Sequence, residues 1–190
     1  MAKRKPKPLD IFIVADQFRL VGKTLTIITR HPAFPVMHNQ NPVTASMVCA
    51  AFSLELYFKT LIRMGRKTYG NEHDLSKLFY KIGRRPRRKI RKYWNENSSV
   101  VRAYVESVYG KDGNPIPNVT FDWVLSASKD AFVSMRYIYE VGIAPDTGWL
   151  ADTIVEAARH TIIERNPTWE WARQIFPVSE VSFQPTSPAR

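Results

Sequence analysis

Residues 50–79 constrain the fold of this chain more than any other stretch. They read A-A-F-S-L-E-L-Y-F-K-T-L-I-R-M-G, then R-K-T-Y-G-N-E, then H-D-L-S-K-L-F. Met47, Ala51, Leu54, Phe58 and Leu61 repeat at intervals of four and three, which places them on one stripe of a helix. Ala50, Tyr57 and Met64 widen that stripe, so the helix is expected to be central and buried on most sides. It starts at Pro42, Val43 or Thr44, and Gly65 is expected to stop it. Glu55 and Lys59 lie one turn apart within it. A second helix is expected to open at Asp74, whose carboxylate suits an N-cap, and to end near Ile82.

The same periodicity extends through the chain. Phe18, Val21, Leu25 and Ile28 mark a helix over residues 9–29, with Gly22 as its weak point. A helical stretch runs from about Pro86 to Tyr109. Val124, Ala127, Ala131, Met135 and Ile138 share a face over residues 122–140. Leu150, Ile154, Ala157 and Ile162 share another, with Asp146 and Thr147 as the expected cap. Proline-rich or glycine-rich segments at 30–43 and 111–118 separate these helices. No alternating strand pattern and no internal repeat is present. The expected fold is all-α: a single-domain bundle of five to six helices over residues 9–165. Residues 1–8 are expected to form a flexible basic arm, and residues 166–190 a proline-containing irregular tail.

Composition supports a packed domain, since 44% of the 190 residues are hydrophobic and five are Trp. The single Cys49 excludes an internal disulfide and reads as a small core residue. The basic start lacks the apolar segment of a secretory signal, and no apolar run approaches the ~20 residues of a bilayer span. A cytoplasmic protein with no membrane partner is expected.

The net charge of +11 is unevenly distributed. Residues 1–92 hold 20 Lys/Arg against 5 Asp/Glu, a balance of +15, whereas residues 113–164 hold 3 against 7, a balance of −4. Seven of the nine residues from 84 to 92 are basic: Arg84, Arg85, Arg87, Arg88, Lys89, Arg91 and Lys92. Tyr93 and Trp94 follow directly. Cations that track phosphates beside rings that stack on bases suit RNA or single-stranded DNA. The plainer alternative is a solvated face, with Trp94 expected in the core under either reading.

The string A-A-F-S-L-E-L-Y-F-K-T-L followed by H-D-L-S-K-L-F resembles bacterial HEPN-domain proteins. An R-Y-x-x-E segment at Arg136 to Glu140 is similar to one found late in some members. The resemblance spans about residues 10–165, and residues 50–79 carry it. It implies a bundle of four or five helices, usually dimeric. Many members are metal-independent endoribonucleases of toxin–antitoxin or antiphage systems; others bind nucleotides or are non-catalytic. Active members carry Arg and His separated by four to six residues. Histidine serves as general acid or base near neutral pH, and arginine holds the scissile phosphate.

Only Arg66 and His73 match that spacing, with six residues between them. They sit between the second and third helices, whereas the family motif lies near the start of a late helix. Arg136 has no His downstream within reach, and Arg159 and His160 are adjacent. The catalytic candidates are therefore His73, Arg66, Arg136, Glu55 and Lys59. The alternatives for His73 and Arg66 are helix capping or packing and a solvated loop cation. Glu55 and Lys59 are expected to pair with each other and organise the polar centre of the bundle, with Arg136 a candidate to join through Glu55. His31, His38 and His160 show no ligand spacing, and residues 21–24 hold only a fragment of a phosphate loop. No metal and no cofactor is expected. Three functional classes stay open: a HEPN-like RNA-acting protein, expected as a homodimer; a non-catalytic nucleic-acid-binding or adaptor module; and a helical partner of another protein, such as an antitoxin, that would use the acidic region 113–164 to meet a basic chain.

Overall fold

The computed structural model describes residues 6–30, 42–110, 115–130 and 150–173. Among these, every regular element is helical. They are α1 (Pro8–Arg30), α2 (Pro42–Met64), α3 (Leu75–Lys81), α4 (Arg84–Asn97), α5 (Ser99–Tyr109), α6 (Phe121–Ala127), α7 (Asp152–Arg165) and a 3-10 helix (Pro167–Arg173).

α1 and α2 form a long helical pair. Gly22, the expected weak point of α1, is where the two backbones approach. A Cβ there would lie 3.2 Å from the Ser46 carbonyl oxygen and 3.3 Å from Cys49 Cβ. Glycine is kept for close packing at the cost of helix propensity. The Gly22 carbonyl also accepts hydrogen bonds from Thr26 and Ser46, at 3.0 and 2.8 Å. α2 packs on α1, α3 and α7, and so forms the centre of the bundle. Ala51, Leu54, Tyr57, Phe58 and Leu61 are buried along it, as the stripe predicts, and Ile62 joins them, whereas Met47, Ala50 and Met64 are only partly buried. By length and composition residues 44–64 also suffice to cross a membrane, but most of that segment is buried in the bundle and it carries Glu55, Lys59 and Arg63.

α3 opens as the sequence predicts. Asp74 is its N-cap, and its carboxylate accepts from the Lys77 N–H at 2.9 Å. The Leu75 N–H donates to the Lys129 carbonyl at 2.9 Å, which ties α3 to the turn after α6.

Five expectations change. Residues 86–109 form two helices rather than one, broken at Ser98, which is buried and has a non-helical backbone at φ −88° and ψ 4°. This raises the α-helix count to seven among the described residues. α6 stops at Ala127, where the Ser128 N–H closes the Val124 and Ser126 carbonyls, so the helix expected over 122–140 is interrupted at residues 128–130; positions 131–140 lie outside the described residues. α7 starts at Asp152 with Ala151 at the cap; Leu150 and Ala151 are buried and non-helical, and the expected caps Asp146 and Thr147 lie outside the described residues. The tail is not irregular from residue 166. It continues as the 3-10 helix, whose Trp169 packs against Phe12 with ring centroids 5.5 Å apart. Finally, the residue that reverses the chain after α2 is Arg66 rather than Gly65. Arg66 adopts φ 59°, its N–H bonds the Arg63 carbonyl at 2.8 Å, and the Lys67 N–H bonds the Ile62 carbonyl at 3.1 Å. That pair of bonds is a Schellman stop with arginine in the left-handed position usually held by glycine. Residues 1–5 and 174–190, where most of the expected arm and tail fall, lie outside the described residues.

Candidate nucleic-acid interface and the polar centre

Two groups of charged side chains answer to the sequence candidates, and they differ in where the charge sits. The first is on α2. Glu55 is 1% exposed, and its Oε1 accepts from Lys59 Nζ at 2.6 Å. The spacing of one helical turn makes this pairing possible. His73, reaching back from the loop before α3, places Nδ1 3.0 Å from the same oxygen. Opposite a carboxylate, Nδ1 carries the proton and donates. Lys59 Nζ also lies 5.2 Å from the centre of the Tyr69 ring, a cation–π contact between α2 and the loop that carries His73. Glu55 Oε2 is buried without a hydrogen-bond partner. The imidazole of His73 is the accessible end of this group, its side chain half exposed.

The structure thus joins Glu55, Lys59 and His73. It does not join Arg66 to them: that guanidinium is exposed and makes no hydrogen bond or ion pair among the described residues. Arg136 lies outside the described residues.

The second group is α4. Pro86, Ile90 and Trp94 recur every four residues and are buried, which turns the basic positions outward. Trp94 is a core residue, 1% exposed. The seven cations then divide. Arg91 makes a bidentate pair with Asp122, at 2.6 and 2.7 Å, and its guanidinium covers the Phe121 ring at 4.7 Å. Arg91's hydrogen bonds hold the Asp122 carboxyl below the usual range. Lys89 pairs with Glu164 at 2.6 Å and lowers that carboxyl in the same way. Lys92 lies 3.8 Å from Glu96, a loose surface pair. Arg87 lies over the Tyr80 ring at 5.6 Å, and its Nε is buried without a partner. Arg84, Arg85 and Arg88 are exposed and make no ion pair among the described residues. Arg84 and Arg88 are one turn apart, about 6 Å along the axis. Around them the helix surface is open and lined by Arg84, Arg85, Arg88 and Lys92 together with the paired Lys89 and Arg91, and Glu96 is the one acidic side chain in that lining. No acidic residue occupies the first turn of α4, and Gly83 offers its N-terminus no side-chain cap.

A third network was not singled out in the sequence. Asp16 on α1 is buried and accepts from Tyr57 Oη at 2.5 Å and from Arg159 Nε at 2.7 Å. One turn on, Arg19 makes a two-point contact with Glu156 of α7, at 2.9 and 3.1 Å, and Lys23 reaches the same carboxylate at 2.8 Å. Burial pushes the Tyr57 hydroxyl well above its ordinary value, and the Asp16 charge adds to it. Burial also opposes ionisation of Glu156, but the hydrogen bonds and charges of Arg19 and Lys23 outweigh it and keep that carboxyl low. The signal was available: Phe12, Asp16, Arg19 and Lys23 follow one another at four, three and four residues, a charged continuation of the buried face of α1. A cleft of about 440 Å³ opens above this network between α1, α2, α4 and α7. Its charged walls largely neutralise each other. Among the described residues no three His, Cys, Asp or Glu side chains converge as metal ligands would.

No protein-family model, curated protein or solved structure matches the chain.

Proposed function

We propose that this chain binds RNA through the solvent face of α4. The observation that carries the proposal is the row of exposed, unpaired guanidiniums at Arg84, Arg85 and Arg88, flanked by Lys92. Three neighbouring cations are matched to Asp122, Glu164 and Glu96, and Arg85 also acts on Glu164 through space, whereas Arg84 and Arg88 make no ion pair among the described residues. Cations in the first turn also oppose the positive end of the helix dipole, a mismatch that a phosphate backbone relieves. Neutralising phosphates with such a row releases counterions and makes binding strongly dependent on salt. The HEPN resemblance agrees with RNA as the partner, and it would make the protein a cytoplasmic homodimer in a toxin–antitoxin or antiphage setting. Fluorescence anisotropy with labelled RNA tests the proposal. Binding that tightens as salt is lowered, and that is lost on Arg84→Glu with Arg88→Glu, is the expected result. Absence of binding at low salt contradicts it.

One observation favours a second reading, metal-independent RNA cleavage. Glu55 holds the half-exposed His73 ring by Nδ1, as a carboxylate does when it fixes the tautomer of a general base. In that reading His73 assists attack by a 2′-hydroxyl, Glu55 and Lys59 position it, and Arg66 or Arg136 holds the phosphate. Incubation with mixed RNA under chelation is the test. Cleavage that His73→Gln abolishes, with the fold intact, supports it; RNA left whole by the wild-type protein removes it.

A further inference from the structure

Beside the unpaired guanidiniums of α4 stands one aromatic ring that the fold leaves in water. Tyr80, on α3, is 55% exposed, although it adjoins the fully buried Phe79. Its position is fixed from three sides. The hydroxyl donates to Asp122 Oδ1 at 3.2 Å, and that carboxylate is itself held by both outer nitrogens of Arg91. The Phe79 and Tyr80 rings stand nearly perpendicular, at 75°, with centroids 5.6 Å apart. The Arg87 guanidinium lies over it, 5.6 Å from the ring centre.

Tyr104 and Trp171 are exposed to a similar degree, but Tyr80 is set apart by being held at once by Asp122, Phe79 and Arg87. An aromatic ring already held in place, with a cation above it, stacks a flat partner at small entropic cost. The surrounding charge selects that partner further. Asp122 is neutralised by Arg91, so the ring borders Arg87, with Arg84 and Arg88 on the same helix.

We infer that Tyr80 is a base-stacking platform, and that the α4 face takes an unpaired strand of nucleic acid rather than a duplex. The strand's phosphates lie along Arg84 and Arg88, and one base rests on the Tyr80 ring. A duplex engages the same cations but cannot offer the face of a base, since its bases are stacked on one another. The inference rests on the proposed RNA-binding role of α4 and adds the form of the ligand.

The test compares a short oligouridylate, the matching oligothymidylate and an RNA duplex of equal length, by anisotropy at one low salt concentration. The wild-type protein is expected to prefer both single strands over the duplex. Tyr80→Ala should weaken the single strands by about tenfold, in the range measured for loss of one stacked base, and leave the duplex nearly unchanged. Tyr80→Phe, which keeps the ring and loses only the bond to Asp122, should retain most of the affinity. Tyr80→Ala without effect on the single strands, or with an equal effect on strand and duplex, overturns the stacking role while the electrostatic role of α4 stands. Loss of all salt-sensitive binding in the wild-type protein overturns both.

Discussion

Glu55 on α2 and Arg88 on α4 show what burial does to the same kind of side chain. Glu55 is removed from water, so it is met by Lys59 and His73 within 3.0 Å. Arg88 stays in water, so it needs no partner and has none among the described residues. A buried charge must be compensated internally, because its desolvation costs several kcal/mol. An exposed charge is held by solvent and remains available to an external anion. The difference teaches that charges seen in a sequence as one class divide by environment. Those of α2 are compensated within the bundle, and the unpaired ones of α4 stay in solvent, where the proposed function puts the ligand.

The comparison is broken most severely at Glu55. Glu55→Ala leaves Lys59 buried without its carboxylate and is expected to cost about 3–5 kcal/mol in chemical denaturation. A cost below about 1 kcal/mol, the range of exposed pairs, would mean that the α2 group is solvated like α4. Replacing Glu55 by Leu and Lys59 by Met together should recover much of the loss, because no orphaned charge remains.

Next in size is Asp16→Asn. It weakens the bonds from Tyr57 and Arg159 while keeping the shape, and about 2 kcal/mol is expected. Urea midpoints for the wild type and the variant measure it.

A smaller effect, on the order of 1 kcal/mol, is expected for Glu156→Gln, since this carboxylate is only partly buried. Its pH dependence has a definite sign. The folded protein holds Glu156 below its ordinary value, so its contribution is present above the unfolded value and is lost as pH falls through the folded one. The variant should therefore lose less stability than the wild type on acidification below the ordinary glutamate range. Parallel acid titrations of the two proteins would refute this if the losses were equal.

The smallest effect on stability belongs to α4. Replacing Arg84, Arg85 and Arg88 by Gln should change stability by less than about 0.5 kcal/mol each, as is usual for exposed positions without partners. A large loss would show that these side chains support the fold.

The same contrast explains what was legible in the sequence. The α2 stripe, the Asp74 cap and the burial of Trp94 follow from local spacing, and the structure keeps them. The pairing of Glu55 with Lys59 is also local, one turn apart. Features that depend on distant parts of the chain were not legible. Arg159 meets Asp16 across 143 positions, and spacing beside its neighbour His160 says nothing of that. The break at Ser98 carries no proline or glycine, so local composition does not mark it. Arg66 takes a left-handed conformation next to a glycine better suited to it, so the composition of the turn misplaces its pivot by one residue. The division of the seven α4 cations depends on Asp122 and Glu164, which other helices bring in. Sequence alone shows the basic run, and the fold identifies which members are left over.

The central claim is that the unpaired cations of α4 are the ligand-binding charge. The most direct measurement is the salt dependence of RNA affinity for the wild type and for the protein with Arg84, Arg85 and Arg88 all replaced by Gln. Each phosphate contact with a single strand contributes about 0.7 to the slope of log affinity against log salt, so the slope should become shallower by about 2. An unchanged slope, with binding intact, would contradict the account and place the contact elsewhere on the molecule.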